Sequence, residues 1–275
     1  MGKGLRNTLR YILLCAIALL MVGPFLWMVA TSLMDPQDIF RIPPRWIPDR
    51  FDLRNYRAIM EVLPLGTLLL NSFTIAVAAT IGQVLSCTLA AYAFARMEFR
   101  GNTTLYFILL ATMMIPAQVT MIPTFMIMKA FRLIDTLYAL IIPAFFGGAF
   151  GTFLMRQFFT SIPRELEDAA RMDGCGRFRI LWSIYLPLSR PALVTLGLFT
   201  FMTYWNDLLG PVIYLSSTEH ATLTMGLASL QAGTMVTRFD LLMAGSVLSV
   251  LPIPILLIIG QQWFIRGIAT TGLKE

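Results

Sequence analysis

A chain of 275 residues that is 57% hydrophobic and only 13% charged falls outside the range of an ordinary soluble domain. Its net charge of +6 comes from 21 basic against 15 acidic residues. The first long loop carries five basic residues (Arg41, Arg45, Arg50, Arg54, Arg57) matched by five acids, so the surplus does not describe a nucleic-acid surface. Three cysteines and one histidine, His220, supply neither a disulfide framework nor the ligand spacing of a structural metal site.

Apolar runs recur along the chain at the length a bilayer demands, about twenty residues at 1.5 Å rise each. They predict spans at about 11–33, 65–94, 103–128, 137–159, 191–215 and 240–264. The expected fold is therefore an all-α membrane protein of six transmembrane helices in one domain over 1–275. Tyr11 to Leu33 exceeds a signal peptide's apolar core and lacks an A-x-A cleavage site, so it reads as an uncleaved anchor. Pro24, Pro116, Pro123, Pro143, Pro252 and Pro254 fall within spans, where neighbouring helices cover the freed backbone groups.

Between the spans, basic residues are distributed unequally. Lys3, Arg6, Arg10, Arg96, Arg100, Arg156, Arg164, Arg171, Arg177, Arg179, Arg190, Arg266 and Lys274 share one side, 13 against 8 on the other. The positive-inside rule places both termini, and the loop at about 160–190, in the cytoplasm.

That loop is the charged block of the chain. Ser161 is an expected helix cap and Pro163 suits a first turn. Glu165, Glu167 and Asp168 then favour the positive end of the helix dipole. Ile162, Leu166, Ala169 and Ala170 fall on one stripe, and Gly174 supplies a left-handed stop. A second helix follows, leading to Pro187 and Pro191. Such a helix either lies on the inner leaflet or docks into a groove on a partner protein. Its acidic first turn and small Ala169-Ala170 step suit anionic lipid poorly and favour docking.

The order Asp168-Ala169-Ala170, Asp173-Gly174 and Ile184-x-Leu186-Pro187, led by Glu165, resembles the EAA motif of ABC-importer permeases. Asp168 stands where that family's name letter is Glu, which keeps the charge on a shorter arm. The first span, Asn55-Tyr56, Asn71-Ser72, Trp205-Asn206-Asp207 and the tail Ile265-Arg266-Gly267…Gly272-Leu273-Lys274 are similar to carbohydrate-uptake permeases, most of all the smaller subunit of maltose- or glycerol-phosphate-type importers. The resemblance implies a type I importer fold in the inner membrane of a prokaryote. It also implies a second permease subunit as heterodimer partner, a cytoplasmic ATPase dimer and an extracytoplasmic solute-binding protein. Glu165, Asp168, Ala169, Ala170, Asp173, Gly174, Ile184, Leu186 and Pro187 then form the ATPase-coupling segment.

Asp207 is the acid placed inside a span, and a membrane carboxylate is a functional-site expectation by default. With Asn71, Tyr204, Trp205 and Asn206 it is read as lining a substrate pathway, against the alternative that Trp205 is an interfacial belt residue and Asp207 pairs with a neighbouring helix. Gly147, Gly148 and Gly151 suggest close helix approach, and the many Met and Phe side chains suggest packing and contact with membrane lipid.

No G-x-x-x-x-G-K-[ST] phosphate cradle occurs, so no cofactor is expected in this chain; ATP and Mg belong to the ATPase that the resemblance implies. No G-x-S-x-G elbow is present either, which argues against an enzyme. The expectation is alternating access driven by ATP. The alternative, an ion-gradient-driven secondary transporter, would need intramembrane carboxylate relays and repeated halves.

Overall fold

The computed structural model describes residues 3–43, 46–48, 51–232 and 238–271. Arg45, Arg50 and the tail residues Gly272, Leu273 and Lys274 lie outside them. The described chain is helical, and four helices are long and apolar enough to cross a membrane: Asn7–Ser32, Leu65–Arg96, Tyr138–Ser161 and Phe239–Gln262. Two bent pairs, Asn102–Met114 with Ala117–Ala130 and Arg177–Leu188 with Arg190–Trp205, raise the number to six when each pair counts as one span.

The residues form two compact units, one within Met1–Gly66 and Met225–Pro252, the other within Thr67–Thr224 and Ile253–Glu275. In the first, the Lys3–Ser32 helix and the short Arg54–Val62 helix both pack on Phe239–Val250. A Cβ at Gly245 would come within 2.8 Å of the Ile59 Cδ1 methyl and closer still to Leu227 Cδ2, so any larger residue there requires those side chains to shift. Asn55 is buried and donates to the carbonyls of Ser32 (3.0 Å) and Met34 (2.8 Å), where the first helix runs out of internal N–H donors. Tyr56 adds a 2.8 Å hydroxyl contact with Ser32. The Asn55-Tyr56 pair is thus a tether for the end of the first span.

Asp240, 1% exposed inside the Phe239–Gln262 helix, is paired with Arg238 through Nε–Oδ1 at 3.0 Å and Nη2–Oδ2 at 2.8 Å. Asp207 is therefore not the one acid within a span. Asp240 escaped notice because it sits at the very start of an apolar run, two residues from its partner.

In the second unit the third span is not one rod. Ile115 takes an extended conformation (φ −88°, ψ 116°), as a residue before proline does, and the two halves meet at 103°. The fourth span carries a 3-10 stretch, Ile142–Phe146, which ends at Gly147 with φ +83°. Gly151, just beyond, lets Cys87 Sγ and Leu196 come within 2.9 Å of where a Cβ would stand. The expected fifth span, 191–215, is broken too: its helix is Arg190–Trp205, and the short Leu209–Tyr214 helix begins after a gap. The gap is only Asn206, Asp207 and Leu208, with apolar residues on both sides, so a hydropathy average reads straight across it.

Candidate functional site: the Arg164–Met172 helix and its root

Pro163 ends one helix and begins the next. It holds Ile162 extended (φ −76°, ψ 130°), which stops Ala149–Ser161, and is itself the extended residue before Arg164. The carbonyls of Phe159 and Ile162, at the helix end, accept from the Arg96 guanidinium at the end of the second span. Ser161 does not cap the new helix; its hydroxyl donates back to Phe158 O at 2.7 Å. The first turn is stabilised by Glu165 and Glu167 instead. At the far end Gly174 (φ +79°) closes a Schellman motif, with Cys175 N donating to Ala170 O (2.9 Å) and Gly174 N to Arg171 O (3.0 Å).

The faces of this helix differ from the stripe expected. Glu167 and Ala170 are buried, while Leu166 and Ala169 are exposed. Glu167, 4% exposed, accepts from Tyr185 Oη at 2.7 Å and from Arg171 Nη2 at 2.6 Å. A buried carboxylate survives only when its oxygens are so paired. At 100° per residue, Glu165, Ala169 and Met172 fall opposite Glu167 and Asp168 lies on the flank between, all exposed, and Met172 is 89% exposed.

The following segment supplies the root. Arg177–Ile180 is α-helical, Leu181–Tyr185 widens into a π turn, and Leu186–Leu188 returns to α. Pro187 explains the widening, since it lacks an N–H and its ring crowds the carbonyl four residues back. Tyr185, fully buried, is fixed edge-on by Tyr92 (5.3 Å) and Phe159 (5.4 Å), with the Arg96 guanidinium 5.0 Å over its ring. Burial and the bond to Glu167 both push its phenol well above the ordinary value. Ala170, Ile180 and Tyr185 join Met155, Phe159 and Leu196 in one apolar cluster, with Ile184 and Leu186 against its edge. Pro187 and Asp173 are exposed. Beside the helix lies a cleft of about 160 Å³ lined by Arg96, Glu98, Arg164, Glu167, Asp168, Arg171 and Arg177.

The other candidate residues are placed elsewhere. Asn71 is buried, with its amide committed to the carbonyls of Glu219 (2.8 Å) and Ala221 (2.9 Å); Ser72 Oγ accepts from Leu223 N at 2.8 Å. Trp205 is 3% exposed and stacked on Phe201 at 5.6 Å, so it is a packed residue and not a belt residue. Tyr204 is half-buried, and Asn206 is exposed at the helix end, donating to Met202 O at 2.9 Å. Asp207 is half-buried outside any helix: its Oδ1 accepts from Gly210 N (3.2 Å) and its carbonyl from Thr224 Oγ1 (2.6 Å). Of the side chains that anchor the Arg164–Met172 helix from within, Tyr185 and Arg96 were not singled out from sequence, and Glu167 was read only as a first-turn acid. The Glu167–Arg171 spacing of four was the one local signal available.

Apolar spans broken at glycine and proline, and an amphipathic helix that keeps one face exposed on a buried root, are the features of a multi-span membrane protein. The family described as binding-protein-dependent transport system inner membrane component matches residues 82–270, and the chain belongs to it. It is 32% identical over 273 residues to the sn-glycerol-3-phosphate transport system permease protein UgpE of Yersinia pestis bv. Antiqua (strain Antiqua), covering 97% of this chain and 96% of that one. It is 33% identical over 261 residues to the arabinooligosaccharides transport system permease protein AraQ of Halalkalibacterium halodurans, covering 94% and 93%. In three dimensions it is similar to a chain of a bacterial ABC transporter involved in the import of the acidic polysaccharide alginate: TM-score 0.83, 25% identity, 96% of this chain and 99% of that one. The fold is that of a type I ABC importer permease, and the protein is a multi-pass inner-membrane transport component.

Proposed function

We propose that this chain is one of two permease subunits that move a carbohydrate, or a related polyol phosphate, across the cytoplasmic membrane of a prokaryote by alternating access. A loaded solute-binding protein docks outside, a cytoplasmic ATPase dimer binds ATP and Mg and closes, and the Arg164–Met172 helix carries that motion to the spans. Both termini and this helix lie in the cytoplasm. The observation that carries the reading is the outward face of the helix: Glu165, Asp168, Ala169 and Met172 stand exposed on a helix whose other side is anchored in the apolar cluster. Asp168, Ala169 and Gly174 make the docking contact; Ala170, Ile184 and Leu186 hold it from behind, and Asp173 and Pro187 shape its ends.

For the pathway, the physical argument is the cost of irregular backbone in hydrocarbon. Unpaired backbone groups there cost several kcal/mol each, so a break at membrane depth is tolerated only within protein or beside water. The bend at Ile115-Pro116 and the helix gap at 206–208 support this reading, in which Asn206 and Asp207, with Tyr204, line the passage near its outer mouth. The carbohydrate assignment is supported by the names of the relatives. Purifying the chain from its source membranes and identifying its companions by mass spectrometry tests the whole reading. An ATP-binding subunit and a second permease are expected, and a chain that transports solute alone would contradict it.

A further inference from the structure

Two features at the root of the docking helix go beyond shape. Glu167 is a carboxylate in an almost solvent-free place, and Tyr185, which donates to it at 2.7 Å, is itself wholly buried 18 positions further on. The Tyr185 ring is in turn wedged between Tyr92, on the second span, and Phe159, on the fourth. Apolar contact alone, as at Ala170, permits one helix to slide over another at little cost. A charge-assisted hydrogen bond between buried groups does not, because displacement strips the Glu167 carboxylate of its Tyr185 donor and leaves one oxygen unpaired out of water, with Arg171 holding only the other. The π turn at Leu181–Tyr185 is what offsets Tyr185 from regular α register.

We propose that the Glu167–Tyr185 hydrogen bond is the strap that makes the docking helix and the 177–188 segment move as one body, so that both are positioning residues for energy coupling. The inference rests on the coupling reading above. Motion imposed on the outward face passes through Glu167 to Tyr185 and from its ring to the two spans, and Arg96 holds the intervening turn through the Phe159 and Ile162 carbonyls.

The test is the fold by which the solute-binding protein stimulates ATP hydrolysis, measured per assembled complex in proteoliposomes. Tyr185→Phe keeps the ring and deletes the hydroxyl; Glu167→Leu removes the acceptor from the other side. Each is expected to lower the stimulation about tenfold, and the double variant no further than Glu167→Leu alone, since that variant has already lost the Tyr185 bond together with the Arg171 pair. Glu167→Gln still accepts from Tyr185 and is expected to stay within about twofold of the unmodified complex. Unchanged stimulation in the assembled Tyr185→Phe or Glu167→Leu complex overturns the strap, whether or not less complex is recovered. If the unmodified complex shows no stimulated hydrolysis at all, the coupling reading falls and takes the strap with it.

Discussion

Asn71 donates to the carbonyl of Ala221 at 2.9 Å across 150 positions of chain, and with its second contact to Glu219 it fastens the segment before Leu223 to the second span. Ser72 completes the clasp by accepting from Leu223 N. Asn71→Leu leaves two carbonyls without their donor, and the expected cost is about 1–3 kcal/mol. The thermal midpoint of the solubilised protein should fall, and protease should gain access near Glu219. An unchanged midpoint would show that the clasp carries no stability.

Gly174 is expected to tolerate Asn and reject Val. Nothing crowds its Cα, so the cost is conformational: φ +79° asks an L-residue for the left-handed region, at about 1–2 kcal/mol, more for a β-branched side chain. Uptake by Gly174→Val should fall while the protein stays in the membrane, and Gly174→Asn should stay near normal. Equal uptake by the two variants would remove the Schellman stop from the account.

Asp207→Asn separates its two roles. An amide oxygen still accepts from Gly210 N, so the turn persists while the charge is lost. Recovery of assembled complex should be normal and the concentration dependence of uptake altered. Asp207→Leu should lower recovery as well, by the worth of one hydrogen bond, about 1 kcal/mol. Lost recovery with normal uptake per complex in Asp207→Asn would mean a purely structural carboxylate.

At Asp135 the backbone N–H groups of Ser217 and Ser216, both at 2.9 Å, hold the carboxyl down to about 2 from 3.8, with Ser217 Oγ at 3.0 Å and His220 Nδ1 at 3.7 Å beside it. A depressed carboxyl stabilises the fold above its unfolded value and loses that contribution as pH falls through the folded one. Asp135 should therefore keep the 214–217 turn closed throughout pH 5–8 and release it only as the pH drops from 3.8 through about 2. Amide exchange at Ser216 and Ser217, corrected for intrinsic rates and run with His220→Gln so that no imidazole titrates, should show flat protection over that range. Asp135→Asn should lower protection about threefold, since a neutral acceptor bonds less strongly. A loss of protection between pH 5 and 8 would contradict the assignment.

The parts of this molecule that sequence made legible are those whose cause is local. Pro163 and Gly174 bound the Arg164–Met172 helix because proline and a left-handed glycine act on their own backbone. The spans are legible because length and apolarity are additive properties of a segment. What was not legible depends on a partner far away. Apolarity assigned Leu166 and Ala169 to the hidden face, yet the hidden position is Glu167, made tolerable by a tyrosine 18 residues on. The 191–215 run looks continuous because Asn206 and Asp207 are outweighed by apolar neighbours on both sides, and it breaks where the Asp207 carboxylate captures Gly210 N–H. Asn71 was read as a pathway amide because nothing in its neighbourhood announces the carbonyls at 219 and 221.

The most direct measurement places a photo-crosslinker at Met172 in a chain with Cys15, Cys87 and Cys175 replaced, and identifies what it captures in native membranes. Met172 is 89% exposed at the centre of the outward face, whereas Ala170, two residues back, is 9% exposed against the apolar cluster. Met172 should crosslink to an ATP-binding subunit and Ala170 should not. Adducts from Met172 to lipid alone, in a complex that contains the ATPase, would contradict the assignment of this helix as the coupling element.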